Sequence, residues 1–151
     1  MKNIIAIVIL IIFNIPLAHS QRNITRIEFE NYNSIIIGSK ITILIYASTD
    51  NTFATIEVAR NKKVSKSKIS TEKFNKICNA ILKVSPRDLF VKSKNMLDAG
   101  STTINVSNGF DGFSYFVSGL ETSDISTTRK DFLLATEIII ETANIKFSEL
   151  N

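Results

Sequence analysis

Histidine, cysteine and tryptophan are nearly missing from the 151-residue chain, which has one histidine, one cysteine and no tryptophan. A single cysteine cannot form an internal disulfide, and it cannot supply the ligands of an iron–sulfur cluster or a zinc knuckle. The only histidine, His19, lies in an N-terminal segment that we expect to be removed. Without it, a Ser-His-Asp triad, a Cys-His pair and a histidine-bound zinc are all impossible. The composition therefore argues against the commonest hydrolytic and metal chemistries.

The first 20 residues have the features of a secretory signal peptide. Lys2 supplies a positive charge, Ile4 to Ile15 is an apolar run, and Ala18 and Ser20 are small residues at the positions that a signal peptidase reads. The apolar run is about a dozen residues, shorter than the ~20 that a membrane helix needs.

We therefore expect cleavage after Ser20, a mature domain of residues 21–151 and a secreted or periplasmic location. An uncleaved N-terminal anchor is the alternative. No transmembrane segment is expected after cleavage. The mature chain has no repeats and no linker rich in proline, glycine or serine, so we expect one domain.

Alternating apolar residues predict the strands of a half-buried sheet. Ile27 and Phe29 share one face of the first strand, and Ile104 and Val106 share one face of a later strand. The predicted strands are 23–31, 35–37, 41–47, 52–60, 102–107 and 113–118.

Two helices are predicted from capping residues and from apolar residues at helical spacing. Ser70 is the expected N-cap of the first helix, with Glu72 in its first turn and Pro86 ending it. Its apolar stripe comprises Phe74, Ile77, Cys78, Ile81 and Leu82. The second helix is predicted from about Thr127 to Ile145, with Ser126 or Thr127 as its cap.

These elements predict a single α+β domain, in which an antiparallel sheet of about five to six strands carries two helices on one face. The expected order is βββ(β)αββα. Residues 87–95 fit either a turn or a short strand.

The same layout resembles small secreted bacterial α+β domains of unknown function. The likeness rests on the glycine turn at Gly38, the phrase Ile69-Ser70-Thr71-Glu72-Lys73-Phe74 opening a helix, Leu97-Asp98, the hairpin and the closing helix. It implies the fold class and carries no catalytic residues.

The strongest charge feature is a basic segment, residues 60–94, with eleven lysines and arginines against two acidic residues. Its net charge is +9, whereas the rest of the mature chain carries −6. Such a segment could bind an anionic lipid surface, an acidic polysaccharide or an acidic protein. The plainer interpretation is that lysines on an exposed edge or helix face discourage unwanted strand pairing. The candidate anion-binding residues are Lys62, Lys63, Lys66, Lys68, Lys73 and Lys76.

The other chemistry-bearing residues have simpler interpretations. Glu28 and Glu30 share a strand face and could act as a pair of glycosidase carboxylates. A small domain without tryptophan or histidine, however, offers a poor binding site for a sugar substrate. Cys78 lies on the apolar stripe of the first helix and is expected to be buried and inert. We therefore predict no catalytic, cofactor-binding or metal-binding residues. Two sequons, at Asn23 and Asn105, have a meaning that depends on the host.

The predicted function is therefore that of an exported, non-catalytic binding domain for an unknown protein or anionic surface ligand. Nucleic acid is not expected, because the basic segment lacks an aromatic and glycine stacking motif. The alternative is an inhibitor or immunity-type protein that blocks an enzyme. A further hypothesis is that Glu137 and Glu141, four residues apart on the last helix, meet lysines of the basic segment.

Overall fold

The computed structural model describes residues 24–32, 40–89, 100–120 and 129–150. Within these ranges the chain forms six strands, three α-helices and one 3-10 helix. In chain order they are β1 Arg26–Tyr32, β2 Lys40–Ala47, β3 Phe53–Arg60, β4 Lys63–Ser70, α1 Thr71–Leu82, α2 Pro86–Leu89, β5 Ser101–Ser107, β6 Gly112–Ser118, α3 Lys130–Thr142 and the 3-10 helix Phe147–Glu149.

The strands form one antiparallel sheet in the order β4-β3-β2-β1-β5-β6. The first four strands follow one another as a meander, and the chain then crosses by way of α1 and α2 to place β5 beside β1. Phe29, on the central strand, pairs with Ile43 of β2 and Ile104 of β5, and all three are fully buried. The α+β fold predicted from the sequence is confirmed.

Both long helices cover the same face of the sheet. Their buried residues, such as Ile77 of α1 and Ile139 of α3, join the inner side chains of the strands in one hydrophobic core. Ser70 caps α1 as predicted, since its hydroxyl accepts a hydrogen bond from the Lys73 backbone N–H at 3.3 Å. None of the helices in the described ranges combines the length and apolarity that a bilayer span requires.

The last helix ends earlier than predicted, at Thr142 instead of Ile145. Asn144 has a left-handed φ of 56°, and the Ile145 N–H donates to the Ile140 carbonyl at 2.9 Å. This is the hydrogen bond of a Schellman cap, which terminates a helix. The helix begins at Lys130 with Arg129 as its N-cap residue, so the predicted caps at Ser126 and Thr127 lie outside the described residues.

Two further groups of predictions concern the segment after α1 and the residues nearer the N-terminus. Residues 86–89 form the short helix α2, which replaces the turn or strand expected after residue 87. The predicted strand at 35–37, the sequon at Asn23 and the signal segment lie outside the described residues.

The sequence pattern does not predict the strand β4, because Lys63–Ser70 contains three lysines and three serines and has no apolar alternation. Lysine and serine are poor indicators of a strand, and an exposed edge needs no buried face. Asn61 and Lys62 connect it to β3 with φ values of 48° and 64°, as the two-residue type I′ hairpin turn requires. The sequence does carry one indication of this hairpin, namely a pair of residues containing asparagine directly after a predicted strand.

Candidate functional site

The basic segment begins at an edge of the sheet. β4 is the edge strand of the described sheet, paired with β3 on one side, and residues 63–68 are all exposed. Lys62 lies in the tight turn that leads into it, and α1 follows it directly. We call β4, this turn and the exposed side of α1 the basic edge.

The six candidate lysines do not all share one face. The strand register places Lys66 and Lys68 on the solvent face of the sheet, opposite the helices, whereas Lys63 lies on the helix side. Lys73 and Lys76 are exposed on α1. The edge therefore presents cations on both of its sides, with Lys62 at the tip.

Lys66 is already paired within the sheet. Its Nζ lies 2.5 Å from Oε1 of Glu57 on β3 and 5.3 Å from the ring centre of Tyr46 on β2. The Tyr46 hydroxyl donates to the same carboxylate oxygen at 2.8 Å. These hydrogen bonds, from Lys66 first and then Tyr46, lower the pKa of Glu57, while the carboxylate raises the pKa of Lys66.

Lys68 also folds back across the sheet. Its Nζ lies 4.1 Å from the ring centre of Phe53, a cation–π contact with the neighbouring strand β3. The solvent-face lysines thus point toward the sheet and away from its open edge.

The other candidate lysines have no acidic partner among the described residues. The ion pairs found there are Arg26 with Glu28, Lys40 with Glu30, Arg60 with Glu149, and Lys66 with Glu57. Lys62, Lys63, Lys68, Lys73 and Lys76 therefore remain without a carboxylate in the described part of the chain. The basic edge thus holds five of the nine exposed cations that have no acidic partner in the described part of the chain, and the other four are Lys83, Arg87, Lys130 and Lys146.

Two cations that were not among the candidates lie beside the hairpin tip. Lys40 and Arg60 line a shallow depression of about 440 Å³ together with Thr42, Ala59, Asn61 and Lys62. Charge clustering along the sequence does not indicate Lys40, because it is the first residue of β2 and lies 20 residues before the basic segment.

The hypothesis about Glu137 and Glu141 finds no support among the ion pairs of the described residues. The carboxylates that meet the basic segment in the described residues are instead Glu57, which pairs with Lys66, and Glu149, which pairs with Arg60. The Lys146 backbone N–H also donates to Glu149, at 2.8 Å, and these two contacts lower the pKa of that carboxyl group.

A larger groove of about 500 Å³ lies at the opposite end of the sheet, between α1 and the β2–β3 loop. Its described lining carries hydroxyl and amide groups, the rings of Phe53 and Phe74, and the thiol of Cys78. Burial raises the pKa of Cys78 to about 12, so the group is a neutral thiol at pH 7 and a weak nucleophile.

The paired carboxylates Glu28 and Glu30 lie on the solvent face of β1, each beside a cation. Lys40 Nζ is 2.5 Å from Glu30, and the Arg26 guanidinium is 3.6 Å from Glu28. In the described part of the chain, no three His, Cys, Asp or Glu side chains group closely enough to hold a metal ion. The sequon residue Asn105 lies on the same solvent face, on β5.

Comparison with known proteins gave no match to any protein-family model, curated protein or solved structure.

Proposed function

We propose that this chain is an exported, non-catalytic binding domain that holds an anionic partner along the basic edge. The observation that carries the proposal is the concentration of uncompensated lysines there: Lys62, Lys63, Lys68, Lys73 and Lys76. A partner that carries carboxylate, sulfate or phosphate groups would neutralise these charges.

The distribution of paired and unpaired charge supports this choice over a general surface effect. On the central strands, Glu28, Glu30 and Glu57 each lie beside a cation, so that part of the solvent face is close to neutral. The basic edge differs, because most of its cations have no such neighbour among the described residues. An anion approaching the molecule would therefore be drawn to this edge.

Salt-dependent binding tests the proposal. The protein purified from cells expressing the full 151-residue chain should bind immobilised heparin at low salt and elute as ionic strength rises. Failure to bind heparin, and equal failure with vesicles of anionic lipid, would contradict it.

A charge-reversal pair locates the surface. Lys62→Glu combined with Lys63→Glu should weaken heparin binding at least about tenfold, because it removes two uncompensated cations and adds two anions. The matched control is Arg87→Glu with Lys130→Glu, two exposed cations outside the basic edge. It changes the net charge equally and should weaken binding no more than about threefold. Equal losses of heparin affinity in the two variants would show that the net charge of the protein, and not the position of the lysines, determines binding.

Export is the second part of the proposal, and it is supported by the signal-like pattern of residues 1–20. The intact mass of the exported protein should correspond to a chain that begins at Gln21. A mass that retains the first 20 residues would contradict cleavage after Ser20.

A further inference from the structure

The backbone of β4 is open along the sheet edge. The turn has two residues, so the flanking pair, Arg60 and Lys63, is a hydrogen-bonded pair, and such pairs then alternate along an antiparallel ladder. Ser65 and Ser67 therefore bond to β3. Val64, Lys66 and Lys68 instead direct their N–H and C=O groups away from β3.

The side chains leave this edge uncovered. Lys66 and Lys68 fold back over β3, where they contact Glu57 and the ring of Phe53. The intervening residues, Ser65 and Ser67, are short, and Val64 is 69% exposed. The outward backbone groups have no hydrogen-bond partner in the described part of the chain, and these short or folded-back side chains do not cover them.

β4 lacks several of the usual devices that prevent strand pairing. It has eight residues, pairs with β3 without a bulge, and contains neither proline nor glycine. Natural edge strands are commonly protected by shortness, by bulges, by proline or by charge. Charge is the one protection present, and a charge discourages only partners of the same sign.

The lysines decide which strand could pair here. A second copy of β4 would bring lysines opposite lysines, and like charges in directly opposed positions are destabilising. An acidic strand would place carboxylates beside Lys63 and Lys68, which have no acidic partner in the described residues. Polysaccharides and lipid head groups can use the charges but cannot extend a hydrogen-bonded ladder.

We infer that β4 accepts an extended acidic segment of a partner protein, which adds to the sheet as a seventh strand. The backbone groups of Val64, Lys66 and Lys68 supply the affinity of strand addition, and the surrounding lysines select acidic sequences. This inference rests on the proposed function, because it names the class of anionic partner.

Hydrogen exchange measured residue by residue tests the inference directly. The probe is a capped peptide of about eight residues, the length of β4, in which two glutamates alternate with one valine, so that carboxylates lie on both faces as Lys63 and Lys68 do on β4. It is added to the protein purified from the full chain. Its binding should slow exchange at the amides of Val64, Lys66 and Lys68, whereas the amides of Ser65 and Ser67 are already protected in the free protein. Binding without added protection at the three outward amides would overturn the inference.

Two matched controls separate strand addition from charge attraction. The same peptide methylated on its central backbone nitrogens keeps its charge but loses its donors, and it should bind at least about tenfold more weakly. Val64→Pro removes one outward N–H without changing charge. It should weaken peptide binding while leaving heparin binding unchanged, and Val64→Ala should affect neither. Equal affinity for the two peptides would overturn the inference.

Heparin binding by the same preparation distinguishes the two failures. A protein that binds heparin but not the acidic peptide overturns strand addition and leaves the proposed function intact. A protein that binds neither heparin, anionic vesicles nor the peptide overturns both.

Discussion

The two edges of the sheet differ in how they are attached to the rest of the molecule. β6, at one edge, contains no charged residue and buries Val117 in the core, whereas β4, at the other edge, is exposed over residues 63–68. The Tyr115 hydroxyl donates to the Val84 carbonyl at 3.0 Å, and Arg129 donates to the Ser118 carbonyl at 3.3 Å.

β4 is attached on its solvent face by different means, namely the Lys66–Glu57 ion pair and the Lys68–Phe53 contact. One edge is thus held by packing and hydrogen bonds to neighbouring elements, and the other by its ladder and by charges. β6 is itself only partly covered, since four of its seven residues are exposed, but it buries Val117, whereas residues 63–68 of β4 are all exposed. We therefore expect β6 to contribute more to stability than β4, which agrees with the binding role proposed for β4.

The largest expected difference between the edges comes from placing the same charge on each of them. Val117→Asp puts a carboxylate at a position that is 2% exposed, and it should cost about 3 to 5 kcal/mol of unfolding free energy. Ser67→Asp puts it on the exposed strand and should change stability by no more than about 0.5 kcal/mol. Urea unfolding of both variants measures the contrast, and similar losses would show that β4 is packed as β6 is.

A smaller loss is expected from one hydroxyl group on β6. Tyr115→Phe keeps the ring but leaves the Val84 carbonyl without this donor, which should cost about 1 kcal/mol in urea unfolding. Tyr32→Phe is the control, since that side chain is 46% exposed at the end of β1. If both substitutions were neutral, the Tyr115 hydrogen bond would not help to attach β6.

The smallest effect should depend on pH and should affect β4. The hydrogen bonds from Lys66 and Tyr46 hold the pKa of Glu57 below its usual 4.5 in the folded state. A carboxyl group with a lowered pKa stabilises the fold above its unfolded value, and the contribution is lost as pH falls through the folded value. The wild type should therefore exceed Glu57→Gln slightly in urea midpoint at pH 7.

This advantage should disappear once the pH falls well below 4.5, because the carboxylate is then protonated. Glu141→Gln is the matched control, since Glu141 is exposed and has no ion pair among the described residues. It should show no such pH-dependent gap. An advantage of the wild type over Glu57→Gln that persists at low pH would show that the interaction is not ionic.

The sequence predicted the packed part of the fold better than its exposed edge. Buried strands can be predicted from alternating apolar residues, such as Ile27 and Phe29 of β1. The helix α1 can be predicted from its cap at Ser70 and its apolar stripe. β4 carries no buried face, so the physical cause of the alternation is missing there. One prediction for α1 is wrong, because Leu82 belongs to the predicted buried stripe but is 38% exposed.

The candidate lysines could be named from the sequence, but their arrangement could not. The pairing of Lys66 with Glu57 follows from the strand register, and that of Arg60 with Glu149 from the packing of segments 89 residues apart. Charge counting treats all six lysines alike. Only the fold separates the one that is neutralised from those that remain available.

The ion pair between Arg60 and Glu149 also holds the 3-10 helix Phe147–Glu149 beside the basic edge. Leu150 is buried, and Glu149 is held against the residue that precedes the β3–β4 turn. Ser148, the exposed residue beside Glu149, therefore lies near the hairpin tip. A fluorophore attached there would serve as a reporter of partner binding, whereas a bulkier group at the same place would obstruct it.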